Sequence, residues 1–459
     1  MEYSDLKVLL IHPEISRTRY NFVGVIENEC IELEYISAML KEKGISAQIY
    51  DGQVERESAL KKIKNFSPHV VYVCGRTRQE NFMLEYCREA KENDAGVRTV
   101  IGGLHAQLCY ERMAKEYVDY ILTSFDVYQL LNIIRAEFFG GERNFDETSG
   151  VCYREGAKWV FHPSVAVDIA KMPRPDRSYF YEHPKNYRYL ELEHAAWVRT
   201  SFSCPYRCRF CHRNRMNGGV YSARDIADVV EEIAEIKAEN IYLCDDDFLF
   251  DEDRLWEFVR LVKEKNIQKN YICYGRADFI ARQETLMKAL KEIGLYYVLV
   301  GLETIRDDVL KDYEKRSDVN ANVKSIQICN SLGIHLMGMF IVGLEDKPKD
   351  FRLLYKFVKE NHLRHVAISI YTPELGLENF AEYESRLITD NPSHWDYLHL
   401  VAKPKYMGVR RYYFHYYLLL IRLFLKAKRE GVYDFIDYGD YIRSFIKNMF
   451  QNKRENDDE

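Results

Sequence analysis

Three of the eleven cysteines fall within eight residues: Cys204, Cys208 and Cys211, spaced C-x3-C-x2-C. Thiolates are soft ligands, suited to iron–sulfur clusters or zinc. A structural zinc site needs a fourth protein ligand. His212 adjoins Cys211, but consecutive side chains rarely converge on one ion. Three thiolates on one loop would leave one iron of a four-iron cluster open, and an open metal position is where a substrate binds. The rival readings are a zinc loop or three unrelated thiols. The other cysteines, Cys30, Cys74, Cys87, Cys109, Cys152, Cys244, Cys273 and Cys329, are scattered. This is not the density of a disulfide scaffold.

The elements that must position such a loop are legible as hydrophobic runs. The cysteines follow directly on an apolar strand, Trp197–Thr200. Further strands are expected at 241–243, 271–274, 297–300, 336–341 and 366–370, with helices between them. Ser222 with Asp225 offers a capping box ahead of a helix over 226–237. Six strand–helix units suggest a closed or partly closed parallel barrel, with its chemistry at the carboxyl ends of the strands.

Upstream, strands at 8–11, 47–50, 70–73, 97–101 and 120–122 alternate with helices at 31–43, 58–65, 81–93, 108–116 and 127–138. That alternation implies a doubly wound α/β sheet, whose ligands sit beyond the strand ends. The candidates there are His12 and Pro13; Gly75, Arg76 and Thr77; Gly102, Gly103, Leu104 and His105; and Ser124. Paired glycines let a ligand approach the backbone. No G-x-G-x-x-G follows the first strand, which argues against a dinucleotide domain. A short hairpin is expected over 151–161. The prolines of Met172–Pro173–Arg174–Pro175–Asp176 mark an extended linker. The division is then 1–145 for the first domain, 146–190 for a connector, 191–385 for the barrel and 386–459 for a helical extension.

The chain has 459 residues, 47% hydrophobic and 30% charged. Such a balance excludes a disordered, collagen-like or coiled-coil chain and implies two or three domains. Lys and Arg number 65 against 71 Asp and Glu, for a net charge of −6, so no nucleic-acid partner is expected. The 35 tyrosines suit large pockets or an aromatic-rich core. The start of the chain does not read as a secretory signal, and none is expected. The longest apolar run, near 412–425, is broken by His415 and Arg422. The protein is expected to be cytoplasmic.

Taken together, these motifs resemble those of radical S-adenosylmethionine (SAM) enzymes of the class with an N-terminal cobalamin (B12)-binding domain. The resemblance covers roughly residues 1 to 380. It implies an N-terminal Rossmann-like domain of the B12-binding type, a partial TIM-type (β/α)6 barrel and a helical C-terminal extension. It also implies that the three cysteines hold a 4Fe–4S cluster whose open iron is chelated by SAM. Phe210 matches the position that packs on the adenine. Cys244–Asp245–Asp246–Asp247–Phe248 resembles the family's D-D-x-F segment, which makes Asp245 and Asp246 candidates for the methionyl amine. A helix N-terminal charge cluster is the rival reading. Arg276 matches an arginine facing the cofactor, and its rival reading is an ion pair with Asp278. Glu303, in Gly301–Leu302–Glu303–Thr304, matches the ribose-binding position. Gly338 opens a strand like G-x-F-I-x-G-L-P, with Glu345 in place of the proline. Tyr371–Thr372–Pro373–Glu374–Leu375–Gly376 departs from T-P-x-P-G-T at its second proline and final threonine. Gly102–Gly103–Leu104–His105–Ala106–Gln107 matches G-G-x-H-x-T except at Gln107. The cobalt-ligating D-x-H-x-x-G is missing, and His105 has a rival reading as a polar cap of the next helix.

The resemblance implies reductive cleavage of SAM to a 5′-deoxyadenosyl radical, an external electron donor such as flavodoxin or ferredoxin, and an organic substrate. With cobalamin bound, methylation of an unactivated carbon is the leading expectation. Cobalamin-dependent cyclisation or rearrangement without methyl transfer is the alternative, and a non-catalytic Fe–S/cobalamin sensor the distant one. In the extension, 410–429 reads as an aromatic-rich helix. It could pack into the core, cap the barrel mouth or lie on a membrane surface. A further amphipathic helix is expected over 433–450.

Overall fold

In Val8–Leu9–Leu10–Ile11 every side chain is fully buried. Val8 and Leu10 join the core on one face of the sheet, Leu9 and Ile11 the core on the other. Successive strand side chains point to opposite faces, so a strand covered on both faces reads as an unbroken apolar run. The computed structural model describes residues 2–16, 26–143, 145–432 and 434–435. In it this run is the centre of β1 (Lys7–His12).

Around it lie β2 (Ser46–Asp51), β3 (Val70–Cys74), β4 (Arg98–Gly102) and β5 (Tyr120–Leu122), all parallel, in the order β2-β1-β3-β4-β5. The helices are α1 (Ile31–Glu42), α2 (Ala59–Phe66), α3 (Glu80–Asn93), α4 (Leu104–Cys109) and α5 (Tyr128–Phe138). The strand order reverses between β1 and β3, the place where an open α/β sheet binds its ligand. The hairpin β6 (Val151–Glu155) and β7 (Lys158–Val160) extends the same sheet antiparallel to β5. The helix expected at 108–116 begins earlier, at Leu104. Gly103, at φ +86°, turns the chain directly from β4 into α4, and a Cβ there would stand 3.1 Å from Cys74 Cβ.

The second sheet is β8 (Ala195–Val198), β9 (Asn240–Leu243), β10 (Asn270–Gly275), β11 (Leu295–Glu303), β12 (His335–Val342) and β13 (His365–Ile370). They pair in sequence order and all parallel, with β8 and β13 as free edges. This is a partial (β/α)6 barrel. Its first helix, α6 (Ile226–Glu235), is capped by Asp225, which accepts from Ala227 N at 2.7 Å. Ser222 does not complete a capping box, because its Oγ accepts from Ile169 N of the connector instead. The aromatic helix α7 (Val409–Arg429) packs along the barrel wall. Tyr412 and Tyr416 donate to Val342 O and Ile368 O, and Lys426 to Leu363 O. This is the core-packing reading. The helix expected over 433–450 lies, apart from 434 and 435, outside the described residues. Among the described residues no helix is long and apolar enough to cross a membrane.

Buried charge ties the two sheets together. Arg177, from the connector, reaches Glu29 ahead of α1 and Glu232 on α6, each at 2.6 Å. Arg224 holds the other oxygen of Glu232 at 2.5 Å. The carboxyl-terminal extension adds a second tie: Ser393 Oγ lies 2.9 Å from Ser16 Oγ and 3.3 Å from Asn81 Nδ2, while Trp395 Nε1 donates to Pro373 O at 2.9 Å.

Candidate active site

The cysteine loop leaves the barrel just after β8. Ser203, in the left-handed region at φ +66°, swings the chain outward into it. Cys208 is buried, Cys204 and Cys211 partly exposed. Burial pushes the Cys204 and Cys211 thiols up to about 12, and the neighbouring Cys208 acts in the same direction on both. The loop is surrounded by cations. Arg276 puts Nη1 3.9 Å from Cys208 Sγ, donates to Lys315 O and to Asp278 Oδ1 (2.9 Å), and stacks 3.8 Å over the Tyr206 ring. Arg213 pairs with Asp246. Phe210 packs on Tyr313, ring centroids 4.8 Å apart.

The acidic run divides into three roles. Asp245 is committed to the fold: it accepts from Thr200 N (2.7 Å), Thr200 Oγ1 and Ser201 N (3.0 Å), fastening the end of β8. Asp246 meets Arg213 at the loop. Asp247, not singled out from sequence, is the unsatisfied one. It is buried, neither oxygen has a hydrogen-bond partner, and burial pushes its carboxyl up to about 8. Glu303 sits beyond a bulge in β11 at φ +58° and binds Lys315 Nζ at 2.6 Å, both residues buried. Burial works against the Lys315 ammonium, but Glu303 and Cys208 together outweigh it and leave its proton affinity raised. Lys315 was also missed, because no motif marks it twelve residues past Glu303. Gly338 is not brought to this group. A Cβ there would meet Leu363 Cδ2 at 2.6 Å and Leu302 Cδ1 at 2.9 Å, in the apolar packing.

The cobalamin candidates gather at the switch point. His12, Gly75, Arg76 and Leu104 line a cleft. Its lining also includes Trp197, Arg199, Ser203, Arg213, Met216 and Asp246 of the second domain. Gly103 and Ser124 line an adjoining cavity with Tyr72, Phe125 and Arg199. Pro13 supplies a carbonyl to Gln79 Nε2. Gly102 accommodates the Tyr72 ring, whose Oη would lie 1.9 Å from a Cβ there. His105 is fully buried, Nε2 on Glu80 at 2.7 Å and Nδ1 on Thr77 at 3.2 Å. Both ring nitrogens are therefore engaged within the protein, and Thr77 is spent on the same contact. Burial works against a charged His12, but Cys30 and Asp51 outweigh it and raise the ring's proton affinity.

Residues 198–358 match the family model described as the Radical SAM superfamily, and residues 27–126 the B12 binding domain. The chain carries a radical SAM domain preceded by a B12-binding domain. It is an enzyme of the B12-binding-domain class. An uncharacterized methyltransferase of Pyrococcus horikoshii is 23% identical over 434 residues, 90% of this chain and 93% of that one. The anaerobic magnesium-protoporphyrin IX monomethyl ester cyclase of Rubrivivax gelatinosus is 22% identical over 98% of this chain and 84% of its own. Among solved structures, the radical SAM methyltransferase TsrM from Kitasatospora setae, with cobalamin and a 4Fe–4S cluster bound, aligns with a TM-score of 0.66 at 17% identity. That alignment covers 89% of this chain and 84% of TsrM. The last likeness is one of fold.

Radical SAM enzymes of this class use a 4Fe–4S cluster, SAM and cobalamin, and the residues present suit all three. Three soft thiols among Arg213, Arg276 and Lys315 suit an anionic cluster. Among the described residues no group of three His, Cys, Asp or Glu lies close enough together to hold a metal ion. The two bare oxygens of buried Asp247 suit an ammonium group. Arg199 lines both cavities, and its buried Nε has no partner. It suits an acceptor on the large polar corrinoid.

Proposed function

We propose that this radical SAM enzyme methylates an unactivated carbon of an organic substrate. The observation that carries the reading is the shared cleft. Ser203 and Arg213 bracket the cysteine loop, and they line the same space as His12 and Gly75 at the ends of β1 and β3. When bound, the cluster, SAM and cobalamin supply a hydrogen-abstracting radical and a transferable methyl group. The chain's own residues position and enclose. Cys204, Cys208 and Cys211 hold the cluster, and Arg276 braces their loop. Asp247 receives the methionyl ammonium, Phe210 offers its ring to the adenine, and Glu303 accepts from ribose hydroxyls. Arg199 holds the corrinoid, and Trp197 and Met216 exclude water. The electron comes from a separate donor, of the flavodoxin or ferredoxin kind.

A cyclase is the second reading, favoured by a cyclase relative aligned along 98% of the chain. Anaerobic reconstitution with iron, sulfide and hydroxocobalamin, followed by dithionite and SAM, separates the two. Deoxyadenosine together with S-adenosylhomocysteine supports the methylase. Deoxyadenosine alone, with cobalamin retained, favours the cyclase. Neither nucleoside from a fully loaded protein sinks both. Alanine at Cys204, Cys208 or Cys211 abolishes deoxyadenosine formation.

A further inference from the structure

The barrel wall covers only one side of α7. Tyr412, Tyr416, Leu419, Leu423 and Ala427 form its buried row. The opposite side carries Phe414, Ile421 and Leu425, which are 63%, 56% and 47% exposed. At 3.6 residues per turn these three fall within about 40° of one another, about half a turn from the buried row. A helix that is apolar on two opposite sides presents a face that its own fold does not use.

Beside the exposed stripe runs a row of arginines. Arg411, Arg422 and Arg429 recur at intervals of eleven and seven residues. Those intervals are close to whole turns, so the three line up along one edge of the stripe. The helix Pro348–Glu360 flanks that edge. Arg422 lies 5.9 Å over its Tyr355 ring, and Phe351 meets His415 at 5.9 Å. It adds Arg352. Burial first, and then the charges of Arg411 and Arg352, hold the His415 ring below its usual proton affinity. Arg410 borders the other edge. Within its 21 residues α7 has no Asp or Glu, and among the described residues none of these five arginines is ion-paired. At the amino end of α7, exposed Tyr406 has the ammonium groups of Lys347 and Lys405 at 4.7 and 5.4 Å from its ring centre. The whole chain carries −6, so this cationic strip opposes its overall charge.

Two features select the partner. The arginines need anions strung along about 27 Å of helix, from Arg411 to Arg429. The outward side of a helix is also convex. A fluid bilayer closes around a convex apolar ridge, whereas a folded protein needs a groove that fits it. We propose that α7 rests on the surface of an anionic lipid bilayer. The stripe of Phe414, Ile421 and Leu425 lies at the acyl boundary, and the arginines lie among the headgroup phosphates. The contact is interfacial, since no described helix is long and apolar enough to cross.

The test is anaerobic flotation of the full, cluster-loaded chain with lipid vesicles. The expected result is co-flotation with an equal mixture of phosphatidylglycerol and phosphatidylcholine, and little with phosphatidylcholine alone. Arg411→Gln, Arg422→Gln and Arg429→Gln are each expected to lower vesicle affinity about fivefold. Ile421→Ser is expected to lower it about tenfold. All four side chains are exposed, so these variants should keep the wild-type unfolding midpoint. Phe414→Trp adds a local reporter, whose emission shifts to the blue as vesicles are added. No flotation with either vesicle would overturn the proposal. Equal flotation with both would do the same. Flotation that the arginine and Ile421 variants leave unchanged would place the contact elsewhere and overturn it too. A wild-type mass of two chains by light scattering, halved by Ile421→Ser and without flotation, would assign the stripe to a second copy instead.

Discussion

Nη1 of Arg276 stands 3.9 Å from Sγ of Cys208. The same guanidinium stacks on Tyr206 and binds Lys315 O, so one side chain braces the cysteine loop against two other segments. Supporting groups behind metal ligands are typically worth about 10- to 100-fold in affinity or activity. Arg276→Met is expected to lower iron retention and deoxyadenosine formation by about that factor. Arg276→Lys recovers part of the loss, because a point charge cannot reproduce the planar fork. Unchanged iron content and rate in Arg276→Met would reduce Arg276 to an ion-pair partner of Asp278.

Asp247 gives a pH signature. Its carboxyl is pushed up to about 8 by burial, against roughly 3.9 in the unfolded chain. Between those values the folded state holds more protons than the unfolded one. Stability from this group therefore falls as pH rises through the window and has fully gone above it. In the cofactor-free protein, Asp247→Asn should flatten that fall by up to about 1.4 kcal/mol per pH unit. Thermal unfolding midpoints of both proteins at several pH values between about 6 and 8 measure it, and parallel curves would rule it out. The same variant is expected to bind SAM more weakly.

Arg177 faces three carboxyl groups at the joint between the domains. Glu29 and Glu232 each lie at 2.6 Å, and Glu34 at 3.7 Å. Removing one partner of a buried ion pair costs about 3–5 kcal/mol, because the others stay buried without compensation. Arg177→Ala is expected to destabilise by that order, read as a drop in the denaturant midpoint. A change below about 1 kcal/mol would mean that water reaches the joint.

Gly102 carries the Tyr72 ring. A methyl group there meets Tyr72 Oη at 1.9 Å, and overpacking of this kind costs about 1–3 kcal/mol. The displaced ring would move within the cavity lined by Gly103 and Ser124. Gly102→Ala is expected to retain less cobalamin after gel filtration, with iron content unchanged. Equal retention would place that cavity outside the corrinoid site.

The frame was readable because its signals are local. Each parallel strand is buried on both faces and so stands out as an apolar run, and the cysteine spacing lies within one loop. The site was only partly readable because it depends on which polar groups are already satisfied. Asp245, Asp246 and Asp247 are identical in type and adjacent, yet one is bound to Thr200 and Ser201, one to Arg213, and one to neither. Only the register of β9 against its neighbours separates them. His105 follows a glycine pair in the pattern of a ligand residue, but Glu80 and Thr77, distant in sequence, consume it. Lys315 and Arg177 carry no motif, and their partners are fixed by topology.

Ser393 and Trp395 fasten the last part of the chain to the first domain and to Pro373. On the ribosome the amino-terminal domain folds first, while these closing contacts wait until residues beyond 390 have emerged. Through most of synthesis the ends of β1 and β3 face open solvent without the strap that later spans the joint. The first domain therefore gains its last contacts only after the whole barrel has been made.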